Sequence, residues 1–219
     1  KNLLLLAPET LGMANNVGDT PMHLLLASEA FRRNDSIAVE AAAEEAIESL
    51  MMMAKHLSVL QNDAGLTILH VAIANRCHER VLVRLLNMAP DEIATIADKN
   101  GMLPLHYVAG FGCASPGFVE QLINAFPDSR LCQTIYGDTP LHLLVANIQR
   151  RIAEGDCGME VDDRLETVRV DRETILLAEM LYQAKDQETS PLVIKNNDDR
   201  SPLHCCATFA APTQLIRSL

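Results

Sequence analysis

A hexapeptide that returns five times narrows the folds open to this chain. Gly18-Asp19-Thr20-Pro21-Met22-His23, Gly65-Leu66-Thr67-Ile68-Leu69-His70, Gly101-Met102-Leu103-Pro104-Leu105-His106, Gly137-Asp138-Thr139-Pro140-Leu141-His142 and Asp199-Arg200-Ser201-Pro202-Leu203-His204 read alike. Self-similarity at a period of about 20 to 50 residues marks a fold made by stacking one supersecondary unit, since a lone unit cannot bury its apolar face. The intervals from His70 to His106 and from His106 to His142 are equal. Those from His23 to His70 and from His142 to His204 are longer, which predicts insertions at about 32–60 and 149–172.

A second element recurs independently of the first. Prolines follow apolar stretches at Pro8, Pro90 and Pro127, and each precedes a repeated histidine, His23, His106 or His142, by a nearly constant offset. Between histidine and proline the apolar residues fall at i, i+1, i+4, i+5 and i+8, as in Phe118, Val119, Leu122, Ile123 and Phe126, and again in Leu176, Leu177, Met180, Leu181 and Ala184. That spacing predicts a helix with one buried stripe. Each repeat is therefore two helices and a turn. In the hexapeptide, glycine permits a positive φ at the turn, threonine or serine suits the helix cap, and proline suits a first helical turn that leaves its amide unpaired.

These residues resemble the ankyrin repeat, whose Thr-Pro-Leu-His signature stands complete at 139–142 and with one change each at 20–23 and 201–204. The resemblance runs from about residue 3 to the end. It implies an all-α solenoid of stacked helix-turn-helix units with β-turn fingers, forming a single array over 1–219. Repeats start near 15, 62, 98, 134 and 196, and 1–14 is the remnant of a preceding one. Three positions depart from the pattern: Leu103 replaces the capping threonine, Ile68 replaces proline, and Asp199 replaces the turn glycine. Aspartate tolerates the left-handed conformation better than most residues. The first insertion predicts a stretched second helix over Ile37 to His56, and Gly155 to Gly158 are expected to end a lengthened first helix.

Composition removes several function classes. The longest apolar runs, Leu3 to Ala7 and Leu50 to Ala54, are five residues each, against the roughly 18 to 20 a spanning helix needs. A net charge of −11 repels phosphate backbones, which argues against a nucleic-acid partner. Six cysteines in 219 residues make no disulfide scaffold and point to a reducing, intracellular compartment, most simply the cytoplasm. The chain begins at Lys1 without a methionine, and no polar capping repeat closes either end, so it is expected to be part of something longer.

Chemistry finds little footing. His23, His70, His106, His142 and His204 share one repeat position, and the resemblance implies that their rings tie neighbouring turns together. Rings spaced a repeat apart cannot share an ion. Side chains at His204, Cys205 and Cys206 point about 100° apart on a helix, so they do not converge either. No phosphate-binding glycine loop and no paired carboxylates stand out, and we expect no catalytic residue, cofactor or metal.

What remains is binding. The resemblance implies a concave face of fingers and first helices that holds a partner protein. By position its contact residues are Val17, Asp19, Leu66, Lys99, Asn100, Met102, Ile135, Tyr136, Asp138 and Arg200. Leu66, Met102, Ile135 and Tyr136 are apolar where fingers are usually wet, a pattern that suits a hot-spot patch. The expected partner is a protein with a basic or apolar surface, met as a target or within a larger complex. The second reading is a regulatory or targeting region of a larger enzyme or channel. The acidic insertion, with eight acids and four arginines between Arg151 and Glu173, is a second candidate surface.

Overall fold

The structure, a computed structural model, describes residues 11–29, 55–111, 115–154, 161–162, 167–168, 172–182 and 190–208. The expectations for 1–10, for most of the stretched helix at Ile37 to His56, and for Gly155 to Gly158 lie outside the described residues. The chain folds as two compact units, Lys1–Lys99 and Asn100–Leu219.

In the first unit, α1 (Pro21–Ala27) packs against α2 (Ile68–Ala74), and α2 against α3 (Glu79–Met88). The short α4 (Pro90–Ile93) and a 3-10 helix, Lys55–Val59, close the bottom of this layer. Alternation of apolar and polar residues puts Val81, Leu82, Leu85 and Leu86 of α3 in the core, while Glu79 and Arg80 face solvent. Each such leucine contributes about 2 kcal/mol by leaving water. Asn75, just past α2, reaches back with Nδ2 to the carbonyls of Leu26 (2.7 Å) and Ser28 (3.0 Å), helping to close the end of α1.

The second unit repeats this plan. First helices α5 (Pro104–Phe111), α7 (Pro140–Glu154) and α9 (Pro202–Thr208) pack in a row, and second helices α6 (Pro116–Ala125) and α8 (Arg172–Tyr182) pack together behind them. Of the stripes that the spacing predicts, Phe118, Val119 and Leu122 of α6 and Leu177 and Leu181 of α8 are buried, Ile123, Phe126, Leu176 and Met180 are half-buried, Ala184 lies outside the described residues, and Ala178, absent from the expected stripe, is buried with them. Ser115 caps α6, its hydroxyl accepting the Phe118 amide at 3.3 Å. Pro127 opens a 3-10 turn, Pro127–Arg130, instead of prolonging the helix.

The insertion in this unit has two parts. At 15 residues α7 is about twice as long as α1, α2, α5 and α9, and the described helix stops at Glu154. Past it, β1 (Val161–Asp162) and β2 (Thr167–Val168) pair antiparallel, Val161 opposite Val168 and Asp162 opposite Thr167. Among the described residues the other regular elements are helical, and this short ladder is an addition that the repeat pattern does not foresee. Arg151 at the end of α7 meets the Thr174 hydroxyl of α8 at 3.4 Å, so the two helices hold each other outside the hairpin.

Candidate interaction surface

The fingers are five-residue turns with one construction. In the sequence their first positions are Asn15, Asn62, Asp98, Thr134 and Asn196, each three residues before the turn glycine or its substitute. In four of them the first amide donates to the fifth carbonyl and the fourth amide to the first carbonyl, at 2.8–3.0 Å. The first side chain then accepts the third and fifth amides: Asn15 Oδ1 from Val17 and Asp19, Asn62 Oδ1 from Ala64 and Leu66, Thr134 Oγ1 from Tyr136 and Asp138, Asn196 Oδ1 from Asp198 and Arg200. Asparagine, aspartate and threonine suit this place because a short side-chain oxygen can stand in for a backbone acceptor two residues away. The fourth position is left-handed, with φ of 76°, 81°, 74° and 79° at Gly18, Gly65, Gly101 and Gly137, and 59° at Asp199. Asp199 accepts from Lys195 Nζ at 2.8 Å, and that hydrogen bond and charge hold its carboxyl below the usual range.

Successive fingers are joined in a constant register. The amide of a second position donates to the carbonyl of the preceding third: Asp63 to Val17 (3.1 Å) and Lys99 to Ala64 (3.1 Å) in the first unit, Ile135 to Asn100 (2.9 Å) and Asn197 to Tyr136 (3.0 Å) in the second. Fifth-position acids add side-chain bonds, Asn62 Nδ2 to Asp19 at 2.7 Å and Asn196 Nδ2 to Asp138 at 2.9 Å.

The repeated histidines couple fingers to helices. His23 Nδ1 accepts the Thr20 amide (3.3 Å) and lies 2.8 Å from its hydroxyl, while Nε2 meets the Leu66 carbonyl at 2.9 Å. His142 repeats this with Thr139 (3.1 and 2.8 Å) and the Arg200 carbonyl (2.9 Å). A carbonyl only accepts and an amide N–H only donates, so the proton sits on Nε2 and the ring is neutral. Burial pushes the His142 imidazole below its ordinary value, against the Arg200 carbonyl and the charge of Asp138, which raise it. Threonine and histidine thus form a capping box in which histidine takes the place usual for Glu or Gln. At His106 the cap is Leu103, whose amide alone meets Nδ1 (3.0 Å), and Nε2 turns to the Cys132 carbonyl at 3.1 Å.

The ten expected contact residues divide between the units. In the first, Val17 is exposed at 55%, Lys99 is exposed, and Asp19 and Leu66 are half-buried. In the second, Ile135 and Tyr136 are exposed at 57% and 61%, Asn100 and Arg200 are exposed, and Met102 and Asp138 are half-buried. Large apolar side chains at the tips are accordingly Val17 on one unit and the adjacent pair Ile135–Tyr136 on the other. Leu66 and Met102, at fifth positions, turn partly inward, and the carboxylates of Asp19 and Asp138 are engaged with asparagines of the next finger.

Other side chains at the surface are missed by the hexapeptide pattern. Gln61 Nε2 donates to the Gly65 carbonyl (2.6 Å) and to Ala97 of the following turn (2.9 Å). Gln133 does the same to Gly137 (2.6 Å) and Lys195 (2.9 Å). Asn197 Nδ2 donates to the Ile135 carbonyl at 3.0 Å. The signal for the glutamines was present: both stand immediately before the first residue of a finger, at the same place in their repeats.

Three of the described thiols are shifted away from the thiolate form. Burial pushes Cys206 up to about 11 and raises Cys205, and burial with the charge of Asp128 raises Cys132. Among the described residues no three His, Cys, Asp or Glu side chains gather where they could hold one ion, and no helix is long and apolar enough to cross a membrane. An open groove of about 610 Å³ between the 3-10 helix at Lys55–Val59 and α4 is lined by Met88, Pro90, Asp91 and Glu92 among others. The sequence matches no model of a known protein family and no curated protein.

Proposed function

We propose that this chain is an array of ankyrin-like repeats and that it works as a non-catalytic protein-interaction module. The observation that carries this reading is one finger construction written again and again, with second-position amide on third-position carbonyl each time, on which the first and fourth copies carry exposed apolar side chains, Val17 and the pair Ile135–Tyr136. A preformed row of turns loses little conformational freedom on binding, so a few apolar contacts suffice for specific association. The boxed histidines are held between cap and neighbouring turn, and the Cys206 thiol is buried and raised, which supports a role without catalysis. With a net charge of −11, a partner with a basic or apolar surface is favoured over nucleic acid.

The test compares proteins retained from native extract by the wild-type chain and by an Ile135→Ser/Tyr136→Ser variant with the wild-type urea midpoint. A protein held by the first and lost by the second is expected. Equal retention by both refutes the finger surface.

A further inference from the structure

The turn that carries Ile135 and Tyr136 has no backbone group left to offer. From Thr134 to Asp138 every N–H and C=O is hydrogen-bonded within the protein. Thr134 exchanges bonds with Gly137 and Asp138 inside the turn, through backbone and hydroxyl. The Ile135 amide goes to the Asn100 carbonyl. The three carbonyls at the tip are then closed by two residues: Asn197 covers Ile135 with its side chain and Tyr136 with its amide, both at 3.0 Å, and Gln133 covers Gly137 at 2.6 Å. A turn on the surface ordinarily leaves such carbonyls to water. Here two large side chains, 57% and 61% exposed, stand on a fully bonded base. The second finger has the equivalent glutamine, Gln61, but carries Asp63 and Ala64 at its tip, so the clasp and the apolar pair coincide on the fourth finger.

Resting on the interaction reading above, we infer that Ile135 and Tyr136 are a pre-set anchor pair that enters an apolar pocket on the partner protein, and that Gln133 and Asn197 are the positioning residues that aim it. A partner that added a strand would need free main-chain donors and acceptors, and this turn has none from Thr134 to Asp138. Recognition is left to side chains, an isoleucine and a phenol ring whose hydroxyl requires one hydrogen-bond partner in the pocket. Fixing the backbone beneath both side chains before encounter removes an ordering cost that loose turns carry into a complex.

Two measurements test this, each on the full chain. Amide exchange at Gly137 and residue 197 is compared between wild type, Gln133→Met and Asn197→Ala. Exchange about tenfold faster in either variant is expected for positioning residues, with Gln133→Lys, which keeps a donor at that reach, closer to wild type than Gln133→Met. Unchanged exchange overturns that role whether or not a partner is known. Separately, p-benzoylphenylalanine at position 136 is photo-cross-linked in native extract and the cross-linked residues are mapped. Attachment to side chains lining an apolar pocket of a folded protein is expected, and that purified protein should bind Tyr136→Ser about thirtyfold more weakly and Gln133→Met about threefold more weakly. Cross-links spread along one extended edge strand overturn the pocket. Wild-type affinity in Tyr136→Ser refutes this finger as the contact, leaving the exchange result to stand by itself. Wild-type affinity in Gln133→Met alone refutes only the positioning residue.

Discussion

Gly137 and Gly101 have nearly the same backbone, φ of 79° and 74°, and sit at the same place in successive turns of one unit. What differs is the space beside them. A Cβ on Gly137 would lie 2.7 Å from the Asn197 amide nitrogen and 2.9 Å from Asn196 Cα, whereas one on Gly101 would meet Ile135 N at 3.3 Å and Thr134 Cα at 3.4 Å. Alanine at either site meets the left-handed penalty of about 1 kcal/mol. At Gly101 the neighbour need give only a few tenths of an ångström. At Gly137 the obstruction is backbone, and relieving it opens the two bonds that Asn197 makes to Ile135 and Tyr136, each with a net value of about 1 kcal/mol. Gly101→Ala should therefore cost about 1 kcal/mol and Gly137→Ala about 3 kcal/mol. Urea melts followed by far-UV circular dichroism read both in the same unit, so the difference does not depend on absolute extrapolation. Equal losses would refute the view that close approach of finger to finger, and not the sign of φ alone, demands glycine at 137.

Two further outcomes follow from the site. The neutral His142 is depressed in the fold, so unfolding takes up a proton there: its stabilisation is complete above the unfolded imidazole pKa of about 6.5 and declines as pH falls below it toward the folded value. Urea midpoints between pH 7 and 5 should fall less steeply in His142→Gln than in wild type, and parallel slopes would contradict the boxed neutral ring. Replacing 155–171 by a short glycine-serine linker should keep a single cooperative transition, and its loss would show that the hairpin is part of the core.

Much of this fold is legible in the hexapeptide because glycine, proline and the buried histidine each answer a local demand, of the left-handed turn, the helix start and the cap. Phe118, Val119 and Leu122 were readable as a core stripe for the same reason, since burial has a period. The surface was harder. Leu66 and Met102 look like tip residues by count, yet both are half-buried. Asp19 and Asp138 look like contact acids, but an asparagine 43 or 58 residues away takes their oxygens. Such pairings have no local signature: the residues become neighbours only once the turns are stacked. Gln61 and Gln133 show an intermediate case, a matching offset visible in the sequence whose meaning depends on which carbonyls stacking brings within reach.

The insertion makes clear what stacking requires. Gln61 reaches a carbonyl 36 residues onward and Gln133 one 62 residues onward, yet both bonds are 2.9 Å and both glutamines also close their own turn at 2.6 Å. Asn75 and Asn147, at the same offset from His70 and His142, likewise each reach the first helix of the preceding repeat, at Leu26 and Ala109. The chain added between one pair of fingers leaves the geometry of the joint unchanged. Loop closure explains why this is tolerated, because its entropy grows only as the logarithm of length. The unit of construction is thus the joint between turns, and chain added between turns is free to take on other work so long as the groups at 133, 138, 142, 196, 197 and 200 still meet.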